Sequence, residues 1–227
     1  MRFDNYVASV LNISRNKASE LIKSGKVLIN GEICTKVSSE VSEAKISLLD
    51  EIYVGRGALK LKSFLEAMKF DIAGKNALDI GSSTGGFMQI LLERGVKSVT
   101  GVDVGTDQLD TSLRSDERVK IYEKTDVREF AKTHKNEFNL ITCDVSFISL
   151  AEILPAICEL ASESSLIITL FKPQFEVGVG IKRNKKGVVT DAKAVNLAMK
   201  RFEVLASSLK FELIACKECE VKGKEGN

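Results

Sequence analysis

The fold class follows from one stretch of the sequence, Ala77-Leu78-Asp79-Ile80-Gly81-Ser82-Ser83-Thr84-Gly85-Gly86-Phe87. Its first residues are apolar and typical of a buried strand, and glycines then connect them directly to an apolar helical pattern over residues 87–92. Glycines and small hydroxyl residues let a backbone approach a bound molecule closely. The stretch therefore predicts a strand, a ligand-binding turn and a helix of an α/β protein.

Acidic residues near this turn indicate the kind of ligand. The glycines do not follow the G-x-G-x-x-G spacing of dinucleotide-binding turns, and Asp79 stands two residues before the first of them. A carboxylate there would repel a pyrophosphate but suits an ammonium group, and S-adenosylmethionine is a common ligand of that kind. Asp103 ends the next strand about 20 residues later, where a ribose diol is usually held. The alternative is a glycine-rich turn of an unrelated α/β protein.

Length and composition narrow the class of protein. The 227 residues allow one small and one medium domain. No apolar run approaches the ~18 residues that span a bilayer, and the N-terminus lacks an apolar signal core, so we expect a cytoplasmic protein outside the membrane. Cys216 and Cys219 form a C-x-x-C pair, but with a single histidine the chain cannot complete an ordinary zinc site, and no metal is expected.

Basic residues concentrate in two segments, although the net charge of +2 is too small to indicate nucleic-acid binding by itself. One segment covers residues 15–36. The other is Lys182-Arg183-Asn184-Lys185-Lys186. Because a charge run usually forms a solvated face, neither segment alone predicts a partner.

Residues 1 to about 50 predict a small unit of two helices and a curled sheet. Ser14 is the predicted cap of the second helix, which should stop at Gly25, and Asn30-Gly31 is a typical hairpin turn. A later strand is predicted near residues 45–49. About 50 residues form a binding module without room for an active site.

The order Ser14-Arg15-Asn16-Lys17-Ala18, Leu21-Ile22, Gly25-Lys26-Val27 and Ile29-Asn30-Gly31 resembles the RNA-binding domain named after ribosomal protein S-four. We place this domain at residues 1–52. The resemblance implies that the second helix and the loop after it face RNA phosphates, which add affinity without sequence specificity. The implied phosphate contacts are Arg15, Lys17, Lys23, Lys26 and Lys36.

After a predicted linker at residues 53–57, helix and strand patterns alternate along residues 58–227. The predicted helices cover 58–69, 85–94, 107–114, 127–133, 149–160 and 190–209, and the predicted strands cover 76–80, 98–103, 119–123, 138–143, 165–171 and 211–220. This alternation predicts a mostly parallel sheet with helices on both faces, as in Rossmann-like α/β domains.

Charged residues end or follow several predicted strands, and such residues meet at one edge of a parallel sheet. They are Asp79, Asp103, Asp126, Asp144 and Lys172. An acid and a lysine there could form an ordinary buried ion pair or a catalytic pair. A lysine acts as a base only when burial or a second cation lowers its pKa from ~10.4. Lys60 is a plausible second cation, and Lys62 competes with it on sequence alone.

Several blocks together resemble the TlyA family of ribosomal RNA ribose 2'-O-methyltransferases, over essentially the whole chain. The blocks are Val54-Gly55-Arg56-Gly57-Ala58-Leu59-Lys60-Leu61, residues 77–87, Asp103-Val104-Gly105 with Gln108-Leu109, Asp144-Val145-Ser146-Phe147-Ile148-Ser149-Leu150, Lys172-Pro173-Gln174-Phe175-Glu176 and Gly187-Val188-Val189-Thr190-Asp191. The resemblance implies an S-four-type RNA-binding domain followed by an FtsJ-like, S-adenosylmethionine-dependent class I methyltransferase domain. The implied substrate is ribosomal RNA within ribosomal subunits, a cytidine of the large subunit above all.

The resemblance also implies roles for individual residues. Lys172 would deprotonate or orient the 2'-hydroxyl, Asp144 would orient Lys172, and Lys60 would help to hold the target nucleotide. The family carries a glutamate, the fourth catalytic residue, just beyond a pair like Gly226-Asn227, where the sequence stops, so we expect an incomplete C-terminal end or impaired catalysis. Glu225, before that pair, is not a substitute.

The implied cofactor and RNA contacts complete the set. Gly81, Ser83, Thr84, Gly85 and Gly86 would line the methionine end of the cofactor, Asp79 would lie near its ammonium, Asp103 would bind the ribose and Asp126 the adenine amino group. Further RNA contacts would be Arg56, Lys182 and Arg183. Two other functions stay open: an RNA-binding ribosome-assembly factor with an idle methyltransferase fold, and a membrane-active haemolysin, which the absence of a predicted spanning segment disfavours.

Overall fold

The computed structural model describes residues 1–49 and 52–221. The chain forms two compact units, Met1–Ile52 and Tyr53–Asn227. The Gly226-Asn227 pair, beyond which the resemblance places the fourth catalytic residue, lies outside the described residues, as does Glu225.

The first unit contains two helices and a small antiparallel sheet. Its elements are α1 (Phe3–Leu11), α2 (Arg15–Lys23), β1 (Val27–Ile29), β2 (Glu32–Ile33) and β3 (Ile46–Leu48), with the strand order β2-β1-β3. Ser14 caps α2, since its hydroxyl accepts a hydrogen bond from the backbone N–H of Lys17. Asn30 and Gly31 both have positive φ, 52° and 90°, as a two-residue hairpin turn requires. The predicted outline of this unit is therefore confirmed.

The second unit is a parallel sheet between two layers of helices. Its elements are α3 (Gly57–Met68), β4 (Asn76–Ile80), α4 (Gly86–Glu93), β5 (Ser98–Val102), α5 (Thr111–Arg114), β6 (Val119–Tyr122), α6 (Val127–Phe130), β7 (Phe138–Cys143), α7 (Leu150–Leu160), β8 (Ala161–Thr169), α8 (Pro173–Glu176) and α9 (Ala192–Ser208). Among the described residues the strand order is β6-β5-β4-β7-β8, and each pair is parallel. The predicted α/β class is confirmed.

Central strand β4 explains the layering. Its side chains alternate between two apolar clusters, with Ala77 on the side of α3 and α4, and Leu78 and Ile80 on the side of α6, α7 and α9. Because helices cover both faces, the strand reads as a nearly continuous apolar run. The chain order reverses between β4 and β7, which lie side by side. The carboxyl ends of these two strands therefore border the crevice where open α/β sheets bind ligands.

The structure corrects the prediction of a strand over residues 211–220. These residues have no strand assignment, and Leu213 and Ile214 are exposed. An apolar segment becomes a strand only when a neighbouring strand pairs with its backbone groups, and the described chain provides no such ladder for this segment. The helix predicted from residue 107 begins only at Thr111, because Asp110 caps it by accepting from the backbone N–H of Ser112.

The predicted linker at residues 53–57 lies in the second unit. Tyr53 and Val54 pack against the apolar cluster of α3 and α4, and the backbone N–H of Val54 donates to the side-chain oxygen of Gln89 at 2.9 Å. Helix α3 begins at Gly57. The segment thus enters the methyltransferase-like unit before its first helix.

Candidate active site

The glycine-rich turn after β4 has a backbone that side chains would disrupt. Gly81 and Gly85 have φ of +78° and +91°, values that favour glycine. A Cβ on Gly81 would lie 2.9 Å from the carbonyl oxygen of Asp144, and one on Gly86 would lie 2.9 Å from the backbone nitrogen of Ala58. The glycines therefore let the turn pack closely against the end of β7 and the start of α3.

Asp79 is a buried carboxylate with one unsatisfied oxygen. Its residue is 1% exposed, and Oδ1 accepts a hydrogen bond from the hydroxyl of Thr142 at 2.8 Å. Within the described part of the chain, Oδ2 has no hydrogen-bond partner. Burial raises the pKa of Asp79 to about 7, although the Thr142 hydrogen bond opposes this shift. A buried oxygen without a donor fits a ligand that brings an ammonium group.

Two adjoining cavities open beside this carboxylate. The first, of about 280 Å³, is lined by the turn, Asp79 and three lysine and aspartate side chains, Lys60, Asp144 and Lys172. The second, of about 370 Å³, has more apolar walls and includes Asp103 and Asp126. Both share Gly81, Ser83, Asp144 and Ser146, so they form one continuous cleft at the carboxyl ends of β4, β5 and β7.

Asp103 fastens the loop after β5 to the glycine-rich turn. Its Oδ2 accepts from the backbone N–H of Ser83 at 2.8 Å, and its Oδ1 accepts from that of Gly105 at 2.7 Å. The Ser83 hydroxyl also donates to Gln108 Oε1 at 3.0 Å. Each carboxylate oxygen can accept a second hydrogen bond, so Asp103 retains capacity for a diol.

Asp126 lies in the wall of the second cavity, but Arg128 occupies its carboxylate. Nη2 and Nε of Arg128 lie 2.6 and 2.9 Å from the two Asp126 oxygens. Asp126 also caps α6 through the backbone N–H of Arg128, and these hydrogen bonds hold the pKa of Asp126 below its usual value. Oδ2 of Asp126 accepts from Arg128 Nη2, and the role of Asp126 toward an adenine amino group stays a prediction.

Lys60, Asp144 and Lys172 converge from three elements. Lys172 Nζ lies 2.5 Å from Asp144 Oδ1, and Lys60 Nζ lies 4.0 Å from Asp144 Oδ2. All three side chains are mostly buried. Lys172 also donates to the hydroxyl of Ser146 at 2.9 Å. One carboxylate therefore faces two ammonium groups at the mouth of the cleft.

The structure separates Lys60 from its sequence competitor Lys62. Lys60 lines the cleft, whereas Lys62 donates to the hydroxyl of Tyr53 at 2.6 Å. Side chains two residues apart on a helix point in different directions. Only Lys60 therefore belongs to the geometry around Asp144.

Sequence reasoning missed three residues of the cleft. Thr142 orients Asp79, Ser146 contacts Lys172, and Phe147 lines the second cavity. Phe147 is 92% exposed and has a φ of 67°, which is unusual for a bulky residue. The signal for Ser146 and Phe147 was their place directly after Asp144, at the end of β7, whereas Thr142 carried none beyond its position in a buried strand.

The predicted RNA contacts are distributed over both units. In the first unit, Arg15 and Lys17 lie at the start of α2 and Lys23 at its end, while Lys26 precedes β1 and Lys36 follows β2. In the second unit, Arg56 lines the first cavity beside Lys60.

Arg183, one of the predicted RNA contacts, is bound within its own loop. Its two Nη atoms donate to the backbone carbonyls of Gln174, Gly178, Val179 and Ile181. Arg183 therefore fixes the shape of its own loop, and Lys182 and its other basic neighbours are the better candidates for phosphate contacts.

Residues 1–49 and 52–221 show no sign of a metal centre or of a membrane-spanning helix. These residues contain no group of three or more metal-ligating side chains suitably placed for an ion, and no helix long and apolar enough to cross a membrane. The cysteines, Cys216 and Cys219 among them, are free thiols.

Comparisons with known proteins agree with the two units. A family model of the FtsJ-like methyltransferases matches residues 53–227, and a model of the S4 domain matches residues 1–45. A 23S rRNA (cytidine-2'-O)-methyltransferase TlyA of Campylobacter jejuni is 49% identical, with 100% of this chain and 96% of the relative covered. A 16S/23S rRNA (cytidine-2'-O)-methyltransferase TlyA of Mycobacterium tuberculosis is 39% identical over 94% of this chain and 81% of the relative.

A solved structure is also similar over the whole chain. It is a putative hemolysin from Streptococcus thermophilus, with 32% sequence identity and a TM-score of 0.72, covering 100% of this chain and 85% of the other. The similarity in structure therefore extends over both units.

Proposed function

The chain belongs to the TlyA family of FtsJ-like methyltransferases, and from this premise we propose that it transfers a methyl group from S-adenosylmethionine to the ribose 2'-hydroxyl of a cytidine in 23S ribosomal RNA. The relative with 49% identity carries this activity in its name. A substrate in ribosomal subunits places the activity in the cytoplasm.

The observation that supports the proposal best is that one cleft contains both a buried carboxylate oxygen and a cluster of two lysines and an aspartate. The buried Asp79 oxygen that has no partner among the described residues suits an ammonium group, and the first cavity opens beside it. In the wall of the same cavity, Asp144 lies between two lysines. An ammonium-binding pocket next to a lysine–carboxylate cluster matches the needs of methyl transfer from S-adenosylmethionine to a hydroxyl.

We assign the cofactor contacts by this geometry. Asp79 would bind the ammonium, the backbone of Gly81 to Gly86 would line the methionine end, and Asp103 would accept from the ribose diol. When bound, S-adenosylmethionine supplies an electrophilic methyl group. Asp126 takes a lesser part, because Arg128 holds its carboxylate.

The lysines act on the RNA hydroxyl. A ribose 2'-hydroxyl is a weak nucleophile, so it needs a neighbour that orients it and accepts its proton. We assign this role to the neutral amine of Lys172, formed when its ammonium group releases a proton to solvent; Nζ lies 2.5 Å from Asp144 Oδ1 and 2.9 Å from the hydroxyl of Ser146. Asp144 stabilises the charge that Lys172 gains with the proton, and Lys60 and Arg56 would bind a phosphate of the target nucleotide. A nucleotide within a helix must first be extruded from its stack.

The first experiment compares Lys172→Ala with Lys97→Ala, an exposed lysine at the amino end of β5 and outside both cavities. Transfer of labelled methyl groups to ribosomal RNA is measured with isolated large subunits, isolated small subunits and intact ribosomes, and mass mapping locates the product. We expect Lys172→Ala to lose methyl transfer while its affinity for S-adenosylmethionine stays within about twofold, because the residues assigned to the cofactor are unchanged in this variant.

Two outcomes would contradict the assignments. Unchanged turnover in Lys172→Ala would remove Lys172 from the catalytic set. RNA binding without any methyl transfer by the wild type would favour a ribosome-assembly factor. Dye release from anionic liposomes at low protein concentration would instead support the haemolysin hypothesis.

A further inference from the structure

Asp4 in the first unit joins two arginines through a buried carboxylate. The Asp4 side chain is 2% exposed and lies in the first turn of α1. Oδ1 accepts a hydrogen bond from Nε of Arg2 at 3.1 Å, and Oδ2 accepts one from Nε of Arg15 at 2.8 Å. A longer hydrogen bond of 3.3 Å runs from Nη2 of Arg2 to Oδ2. One carboxylate thus orients guanidinium groups from the chain start and from α2.

The two arginines remain available to solvent on their outer side. Their side chains are 50% and 54% exposed, although both contact a carboxylate that is almost fully buried. A guanidinium carries five N–H donors, and Arg15 uses only Nε toward Asp4. Its two terminal nitrogens therefore form an outward fork, the geometry that binds a phosphate with two parallel hydrogen bonds. One negative and two positive charges leave the triad with a net positive charge.

The fold brings a third cation into the same region. The backbone N–H of Asp4 donates to the carbonyl of Val37 at 3.2 Å, and that of Phe3 donates to Ser39 at 2.7 Å. Lys36 directly precedes this segment and is exposed. Arg2, Arg15 and Lys36, which are scattered along the sequence, are thus joined by the contacts of α1.

We propose that Asp4 is a positioning residue for a phosphate-binding site formed by Arg2 and Arg15, which takes a backbone phosphate of the RNA. This inference deepens the proposed function and rests on it for the identity of the partner. The physical gain is preorganisation, since an arginine already held in one rotamer loses less entropy when it binds. Hydrogen bonds from Arg2 and Arg15 hold the pKa of Asp4 at about 2, so the carboxylate stays charged at neutral pH.

The test uses a substitution that should raise RNA affinity if only net charge matters and lower it if Asp4 positions the arginines. Asp4→Asn keeps the size of the side chain but removes a negative charge. If charge alone mattered, the affinity of Asp4→Asn for RNA would rise. The control is Glu32→Gln, which neutralises an exposed acid of β2 that is far from both arginines in sequence. RNA affinity should rise in this control. If Asp4 positions the arginines, affinity falls despite the added positive charge.

We expect Asp4→Asn to bind protein-free 23S ribosomal RNA about 5- to 10-fold more weakly than the wild type at fixed salt, as the loss of a well-oriented charged contact predicts. Arg2→Ala with Arg15→Ala should reduce the slope of log affinity against log salt by about 0.7–0.9, because the one phosphate that both arginines hold is no longer neutralised. Adding Asp4→Asn to that double variant should then change affinity by less than about twofold. Circular dichroism establishes that each variant is folded at the assay temperature.

The outcomes separate this inference from the proposed function. Affinity of Asp4→Asn equal to or above that of the wild type would overturn the positioning role, as would an undiminished loss in the double-arginine background. If Asp4→Asn does not fold, Asp4→Glu replaces it, and wild-type affinity in that variant would likewise overturn the role, because a longer carboxylate shifts both guanidinium groups. Methyl transfer by the wild type in the same preparation shows whether the proposed function holds independently of Asp4.

Discussion

Replacing Asp79 by asparagine removes the carboxylate that we assign to the ammonium of S-adenosylmethionine. We expect this variant to bind the cofactor more weakly at pH 7.5 and to lose the pH dependence of binding below pH 7. The reason is that only the ionised carboxylate attracts an ammonium, and burial raises the pKa of Asp79 to about 7. Protonation of Asp79 therefore competes with the cofactor in the wild type.

The size of the effect follows from that pKa. The ionised fraction of Asp79 falls from about one half at pH 7 to about one eleventh at pH 6 and about one hundredth at pH 5. The apparent Kd of the wild type should therefore rise about fivefold between pH 7 and pH 6, and about 50-fold between pH 7 and pH 5. An α-amino group with an ordinary pKa of ~7.7–8.0 stays largely protonated over this range, so the change belongs to the protein.

Isothermal titration calorimetry in buffers of different ionisation enthalpy measures the same linkage directly. At pH 6, wild-type binding should release about nine tenths of a proton per cofactor, and Asp79→Asn should release almost none. Thr142→Val is a second variant. It removes the hydrogen bond that lowers the pKa of Asp79, so the weakening of binding should begin at a higher pH.

Two results would refute this reasoning. A wild-type Kd that is constant between pH 7 and pH 5 in folded protein would show that Asp79 does not titrate against the cofactor. An unchanged pH dependence in Asp79→Asn would assign the titration to another group. Near-ultraviolet circular dichroism at each pH separates either result from acid unfolding.

Three further predictions concern the same unit. Lys60→Ala should lower kcat by about 100-fold while Lys62→Ala changes it by less than about threefold, because only Lys60 faces Asp144; equal losses in a steady-state assay would return both lysines to consideration. Gly85→Ala should reduce the free energy of unfolding by about 1–3 kcal/mol in urea denaturation, since φ is +91° and the Cβ meets Leu113, and an unchanged midpoint would contradict this strain. Arg183→Ala should accelerate hydrogen exchange over residues 178–190, because it removes the hydrogen bonds that hold the loop; wild-type protection there would show that the loop is held otherwise.

Much of the fold was predictable because local patterns carried it. The strand and turn around Asp79 and Gly81, and the hairpin turn at Asn30-Gly31, follow from residue types whose backbone preferences are strong. The segment 211–220 shows the limit of such patterns. Its apolar residues suit a strand, but a strand also needs a paired neighbour, which the described structure does not provide.

The sequence predicted which residues belong to the site better than it predicted the contacts among them. Asp144 and Lys172 were singled out because residues that follow parallel strands meet at one sheet edge. The choice between Lys60 and Lys62 depended on the orientation of α3, and the engagement of Asp126 by Arg128 depended on side-chain geometry. Residue spacing predicts neither the choice of Lys60 over Lys62 nor the pairing of Asp126 with Arg128.

By itself the sequence determined the two-unit organisation, the α/β class and the glycine-rich turn, because glycine positions and apolar periodicity act over a few neighbouring residues. Only the tertiary structure decided which charges are paired. It left Asp79 Oδ2 without a donor, placed Asp144 between two lysines, and buried Asp4 between two arginines. The physical reason is that burial and the distance between charges arise from residues far apart in the chain, and these quantities set both pKa and binding geometry.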